Sequence, residues 1–247
     1  MTNIRIASDF PAKDSSIFRL SKKMNFTFLT ISNSNEDLAL TYKSIKKWII
    51  KGSQWVVVST INIPDRYKNS SSKRIIGKDS GLYNALNIGI SNIETEFFMI
   101  IHSGDQLDAE FNLKKELNNM KSFKLDLTLG ASLIGRRKHS SKYWKKWMFD
   151  FYVQPPHLPI IYSRSFVNDV RFREDLKVVS DFFMLRELFR KDPNYTIADQ
   201  QRVIMKTGGL TSSGLSSIIL VTRELAKGSG SIQPFLLLPV RLILKLL

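Results

Sequence analysis

The sequence predicts an α/β protein with a mostly parallel sheet flanked by helices and an apolar, amphipathic C-terminal segment. Three observations lead there. The runs Phe26–Ile31, Trp55–Val58 and Phe97–Ile101 are short, rich in β-formers and apolar throughout, as strands covered on both faces are. Segments of helical periodicity separate them, and alternating strand and helix is the mark of a parallel sheet. With 247 residues, 43% of them hydrophobic, the chain can bury the core of one large domain.

The first run ends in the polar cluster Ser32-Asn33-Ser34-Asn35. A helix capped by Asn35 or Asp37 follows, with Leu38, Tyr42, Ile45 and Ile49 at helical spacing and Gly52 as its stop. After the second run, residues Ile61 to Ser72 hold Pro64, Asn69 and a serine run and read as a surface loop before a short strand, Arg74 to Ile76. A helix from Gly81 to Ile93 leads into the third run, which breaks off at His102-Ser103-Gly104-Asp105. Ligands of open parallel sheets gather at the carboxyl ends of strands, so a site is expected in the loops after Ile31, Val58 and Ile101. Farther on, Leu125–Leu129 and Leu158–Tyr162 read as strands, and Asp181–Arg190 as an amphipathic helix.

The chain has no cysteine, which excludes disulfides and thiolate metal sites. Charged residues interrupt Met1 to Lys23, so that stretch lacks the apolar core of a signal peptide, and a cytoplasmic address is expected. A net charge of +15 and an isoelectric point near 9.9 call for an anionic partner: nucleic acid, acidic lipid or a phosphorylated substrate. No helix-turn-helix, aromatic RNA-binding or paired metal-finger pattern is present, so nucleic acid is not the expected partner. Gln233 to Leu247 is nearly all apolar apart from Arg241 and Lys245, yet too short to span a bilayer. Together with the basic, aromatic stretch Arg136 to Trp147 it forms a candidate anionic-membrane surface, with Arg241 and Lys245 reaching toward headgroups. The alternatives are a solvated loop whose tryptophans fold back onto the core, and a C-terminal helix docked on its own domain or on a partner. The expected organisation is an extension at 1–24, one domain at 25–215 and a membrane-associating tail at 216–247.

The segment Asp79-Ser80-Gly81-Leu82-Tyr83-Asn84-Ala85-Leu86-Asn87-Ile88-Gly89-Ile90, followed by His102-Ser103-Gly104-Asp105, resembles the family 2 glycosyltransferases of bacterial polysaccharide assembly. Their pattern runs D-x-G-I-Y-D-A-M-N-x-G-I and then N-S-G-D. Upstream, Asn33, Leu38, Thr41 and Ser44 match N-x4-L-x2-T-x2-S. Downstream, Pro156-His157 with Tyr162-Ser163-Arg164-Ser165, then Ser180-Asp181-Phe182, then Gly208-Gly209-Leu210-Thr211-Ser212 resemble further family segments in the same order. The resemblance covers roughly residues 26 to 213 and implies a GT-A, Rossmann-like domain.

It implies roles for particular residues. A departing nucleoside diphosphate develops negative charge that a divalent cation, Mn2+ or Mg2+, stabilises. Asp105 matches the metal position; its bland reading is a cap or turn residue. Asp79 matches the position contacting the nucleotide base, or caps the next helix. Thr30 and Asn33 match the nucleotide loop, or serve turn chemistry. Asp181 matches the catalytic base of an inverting transfer; otherwise it favours a helix start through the dipole. His157 is a candidate contact for diphosphate or acceptor. The chain departs from the pattern where Ser59 stands near a usual Asp, where Asn84 replaces Asp, and where a single carboxylate stands in place of D-x-D. The expected function is transfer of a sugar from a nucleotide-diphosphate donor, such as a UDP-sugar, to a glycan or lipid-linked glycan hydroxyl, at the inner face of the cell membrane. The alternatives are a non-catalytic sugar-nucleotide or glycan-binding module, and a basic nucleic-acid binder.

Overall fold

The computed structural model describes residues 5–6, 24–67, 73–76, 81–207 and 214–244. Their strands form one mixed sheet: β1 (Arg5–Ile6), β2 (Phe26–Ser32), β3 (Gln54–Ser59), β4 (Lys73–Ile76), β5 (Phe97–Ile100), β6 (Gln106–Leu107), β7 (Leu127–Ile134), β8 (Arg137–Ser140), β9 (Ile161–Ser163) and β10 (Tyr195–Met205). The order is β1-β4-β3-β2-β5-β9-β7-β10-β6, with β8 paired to β7. Strands β4, β3, β2 and β5 run parallel, as do β7 and β10. Short strands supply the antiparallel pairings: β1 on β4, β9 between β5 and β7, β6 on β10 and β8 on β7. The helices are α1 (Asn35–Ile50), α2 (Leu82–Ser91), α3 (Leu113–Ser122), α4 (Arg164–Val167), α5 (Ser180–Arg190), α6 (Gly214–Ser229), α7 (Gln233–Leu236) and α8 (Leu238–Leu244).

The apolar runs are continuous because successive side chains feed two separate cores. Phe28, Trp55, Val57, Phe97 and Met99 join Leu38, Ile45, Leu117 and Met120 of α1 and α3 on one face. Leu29, Val56, Val58, Phe98 and Ile100 join Leu86, Phe182, Leu188 and Leu225 of α2, α5 and α6 on the other. The result is three layers, helix on sheet on helix. Packing of α2 on β2 is tight enough that a Cβ on Gly89 would lie 2.3 Å from a Leu29 methyl.

Helix boundaries correct the sequence expectation in detail. The cap of α1 is Ser34, one residue earlier than expected, whose hydroxyl accepts from the Asp37 N–H at 3.3 Å. Gly52, at φ 96°, does follow its end. Strand β9 begins only at Ile161, beyond Pro159, which has no N–H to give a ladder.

The C-terminal helices fold back onto the domain. Glu224 of α6 accepts from the N–H groups of Lys177 and Val178 at 2.6 and 2.9 Å, and Leu225 is buried. Arg241 does not reach outward as its spacing suggested: it is 2% exposed, and its Nη2 donates to Thr222 Oγ1 at 2.5 Å. Lys245 lies outside the described residues. The aromatic stretch divides too. Trp144 is buried with Nε1 donating to the Val153 carbonyl, whereas Tyr143 and Trp147 are exposed. Among the described residues no helix is long and apolar enough to cross a membrane.

Candidate active site

Strand β5 delivers its carboxyl end into the loop His102–Asp105, which α1 holds in place. Thr41 Oγ1 donates to the Asp105 carbonyl at 2.7 Å and accepts from the Gly104 N–H at 3.0 Å, while Ser44 Oγ accepts from Leu107 N–H at 2.9 Å. The motif threonine and serine thus brace the loop from behind. Gly104 sits at φ 94°, a backbone conformation that favours glycine, and the Lys206 side chain packs over it. Asp105 is 5% exposed, and its Oδ1 accepts from the backbone N–H of Lys206 at 2.8 Å. Burial pushes its carboxyl up to about 6, because the ionised form loses more hydration than its hydrogen bonds return. The ammonium of Lys206 is committed elsewhere: its Nζ bonds both oxygens of Asp37 at 2.8 Å.

A second group stands at the start of α5. Asp181 Oδ2 accepts from Gln154 Nε2 at 2.6 Å and lies 3.0 Å from His157 Nδ1. Burial alone would raise the Asp181 carboxyl; the His157 charge and both hydrogen bonds outweigh it and hold the group below the ordinary carboxylate range. Burial likewise opposes charge on His157, but Asp181 overrides it and raises the imidazole above its usual value. His102, 6.2 Å from His157 between ring centroids, is pulled down to about 4 by burial and by the His157 charge, and stays neutral. The phenols of Tyr83 and Tyr162 are raised by burial and by the Asp181 charge. Since Asp105 and Asp181 both act on His157, the two groups form one electrostatic site.

Asp181, His157 and Gln154 line a cavity of about 790 Å³ that continues between hairpin β7–β8, α6 and α8. Gln154 must turn Nε2 to the carboxylate, which leaves its Oε1 as a buried acceptor with no partner. A smaller pocket, about 370 Å³, lies by Thr95, Glu96 and Arg164 at the amino end of β5, opposite to the ligand-binding edge.

The remaining sequence candidates fall differently. Asn33 is exposed at the carboxyl end of β2. Thr30 is fully buried and its hydroxyl accepts from Trp55 Nε1 at 2.9 Å, so the structure gives it a core role in place of the expected donor contact. Asp79 and Gly208–Ser212 lie outside the described residues. Ser59 turns inward, donating to the Ile61 carbonyl at 2.9 Å. Asn84 and Asn87 grip Glu174 at 2.9 and 2.8 Å, and Asn87 also bonds the backbone of Phe172, which ties α2 to the segment before α5. No three His, Asp or Glu side chains converge to hold a metal among the described residues. Gln154 and Lys206 were not singled out from sequence; the segments that carry them reach the site only through tertiary contacts.

No protein-family model matches the chain, and no curated protein does. Solved structures do. TarS 1–349 from S. aureus in complex with UDP superposes with a TM-score of 0.61 at 17% identity, over 82% of this chain and 66% of that one. The same protein in complex with UDP-GlcNAc gives 0.59 at 16% identity, over 82% and 67%. The mannosyltransferase PcManGT from Pyrobaculum calidifontis, in complex with GDP-Man and Mn2+, gives 0.57 at 12% identity, over 90% and 70%. The fold is the GT-A fold. This chain spans 66% of the length of S. aureus TarS 1–349 and 40% of the longer S. aureus TarS chain.

Proposed function

We propose that this chain is a glycosyltransferase that moves a sugar from a nucleotide-diphosphate donor to a hydroxyl of a glycan or lipid-linked glycan. One observation carries the reading: Asp181, an ionised carboxylate, lines a large cavity beside the Asp105 loop. This is the ligand-binding edge of the sheet in a fold whose solved examples hold UDP, UDP-GlcNAc and GDP-Man. A uridine donor is favoured by the S. aureus complexes, and Asp79 is the proposed base contact from the family resemblance.

The proposed chemistry is a single inverting displacement. The acceptor oxygen bonds to the anomeric carbon, the bond from that carbon to the phosphate oxygen breaks, and the nucleoside diphosphate leaves with the electron pair. The hydroxyl proton passes to Asp181. Its pairing with His157 makes Asp181 a weak base, which suits a late transfer, once bond formation has made that proton acidic. Gln154 fixes the carboxylate through Nε2 and offers Oε1 to an acceptor hydroxyl. On the donor side, Asn33 and Asp105 flank the β2 and β5 ends, and Lys206 stands beside them. A buried carboxyl held near 6 for want of a counter-charge fits a divalent cation, and Asp105 would be its ligand from this chain. When bound, such a cation supplies positive charge to the leaving diphosphate. We further propose a role in surface polysaccharide assembly, peripheral to the inner face of the membrane; exposed Tyr143, Trp147, Leu236 and Ile243 support it.

Thermal shift with a panel of nucleotide sugars, with and without Mn2+, tests the donor, since a ligand of the folded state raises the melting temperature. No shift with any of them sinks the reading. The lack of a second metal carboxylate favours one rival, a non-catalytic sugar-nucleotide-binding module. That rival predicts donor binding without turnover on any acceptor.

A further inference from the structure

We infer that the cavity beside Asp181 contains an anion subsite built around Arg241, and that the acceptor bound there carries a phosphate group. The acceptor part of this inference rests on the glycosyltransferase reading. The subsite itself does not.

Arg241 of α8 lines the cavity and is almost completely buried, 2% exposed. Only its Nη2 has a partner, the Thr222 hydroxyl; Nε and Nη1 are buried donors with none. Among the described residues no carboxylate compensates its charge, for burial alone is what lowers its hold on its proton. A buried guanidinium costs the fold several kcal/mol unless it is paired, so one left unpaired at a cavity wall is poised for an anion.

The other charges of the cavity point the same way. Arg137 and Lys142 line it alongside Arg241, while Asp181 is the one carboxylate of its wall among the described residues and is already paired with His157. Three such cations facing one neutralised anion suit a group of more than one negative charge and several acceptor oxygens. Phosphate is such a group, and guanidinium binds it with short, charge-assisted hydrogen bonds. Asp105 and Asn33 do not line this cavity, and Asp181 is absent from the influences on Arg241. The anion subsite therefore stands apart from the donor loops, on the side from which an acceptor approaches the base.

Calorimetric titration of the full chain with inorganic phosphate and with glycerol phosphate, each with and without saturating UDP, tests this. Both should bind, and UDP should not displace them. Arg241→Gln should weaken phosphate at least about 10-fold, as loss of a charged hydrogen-bond donor does, and leave UDP affinity unchanged. If that variant fails to fold, Arg241→Lys replaces it, with a smaller loss expected because the charge remains. Arg137→Gln, in the exposed hairpin, should weaken phosphate a few-fold and reduce its salt dependence. Phosphatidylglycerol vesicles identify the source: displacement of glycerol phosphate by vesicles assigns the phosphate to a lipid headgroup, and its persistence assigns it to the glycan. Displacement of phosphate by UDP would give the subsite to the donor and overturn the acceptor assignment. Absence of phosphate binding, or parental affinity in Arg241→Gln, would overturn the subsite altogether. Failure of the glycosyltransferase reading registers separately, as no nucleotide binding with phosphate binding intact.

Discussion

Replacing Asp105 with asparagine should make the protein more stable while removing metal-dependent donor binding. In the folded chain the Asp105 carboxyl is raised from 3.8 to about 6, chiefly by burial. A group raised in this way contributes stability that is complete below its unfolded value and is lost as pH rises through its folded value. The ionised form therefore costs the fold up to about 3 kcal/mol above pH 6 and nothing below pH 4. Asparagine does not titrate, and its carbonyl can still accept the Lys206 N–H that Oδ1 now takes at 2.8 Å. Its amide hydrogens need new acceptors, at a pH-independent cost of about 1–2 kcal/mol, which reduces the expected gain above pH 6 to about 1–2 kcal/mol. At this chain length each kcal/mol moves the melting temperature by about 2–4 °C. Melting curves with EDTA should place the variant slightly below the parent near pH 4 and raise it progressively relative to the parent up to about pH 6, where it is the higher of the two. Calorimetry with UDP and Mn2+ at pH 7.5 should show binding to the parent that weakens below about pH 6, and none to the variant. A variant less stable than the parent at pH 7.5, or one that binds UDP and Mn2+ equally well, refutes the reasoning.

Three further outcomes are expected. Asp181→Asn should keep donor affinity and lose transfer by at least about 100-fold, the scale of a general base, and parental turnover would remove Asp181 from the chemistry. His157→Gln removes the charge that holds Asp181 low, so the acidic limb of the pH–rate profile should move to higher pH; an unmoved limb would dissociate that limb from Asp181. Glu116→Ala strands Arg202, which is fully buried and bonds Glu116 at 2.7 Å, so denaturant unfolding should report a loss of about 3–5 kcal/mol.

The parallel half of the sheet was legible because β2, β3 and β5 are buried on both faces and must be apolar throughout. Strand β10 was not. Its centre reads Asp199-Gln200-Gln201-Arg202, and Arg202 is accommodated only by Glu116 of α3 and the carbonyls of Thr128 and Pro159. Helix α3 escaped for the matching reason: one of its four buried positions is that glutamate. Asp105 and Asp181 were singled out through the family resemblance, because a strand end and a helix start alone leave a cap or turn role open. Gln154 and Lys206 were not, since their distances to Asp181 and Asp105 are set by chain segments far apart in sequence. Arg241 misled because helical spacing fixes neighbours along one helix but not which side the rest of the protein covers.

Two buried arginines show how the fold separates structure from site. Arg202 meets a carboxylate and two carbonyls, a set that compensates its charge inside the core. Arg241, equally hidden, meets one hydroxyl. The same contrast holds for acids, since Glu116 is matched by a guanidinium whereas Asp105 has a backbone N–H and no cation of its own. Gln154 adds an acceptor without a donor. These three deficits have different signs: Asp105 lacks a cation, Arg241 lacks an anion, and Gln154 lacks a hydrogen-bond donor. Other unpaired buried atoms, such as Asn35 Oδ1, Trp48 Nε1 and Arg202 Nε, lie away from the Asp181 cavity. Gln154 and Arg241 line that cavity, and Asp105 stands beside it through His157. A metal-bound diphosphate on one side of Asp181 and a hydroxyl-bearing phosphate ester on the other would satisfy all three at once, which is why the unpaired groups are best understood as binding capacity held in reserve.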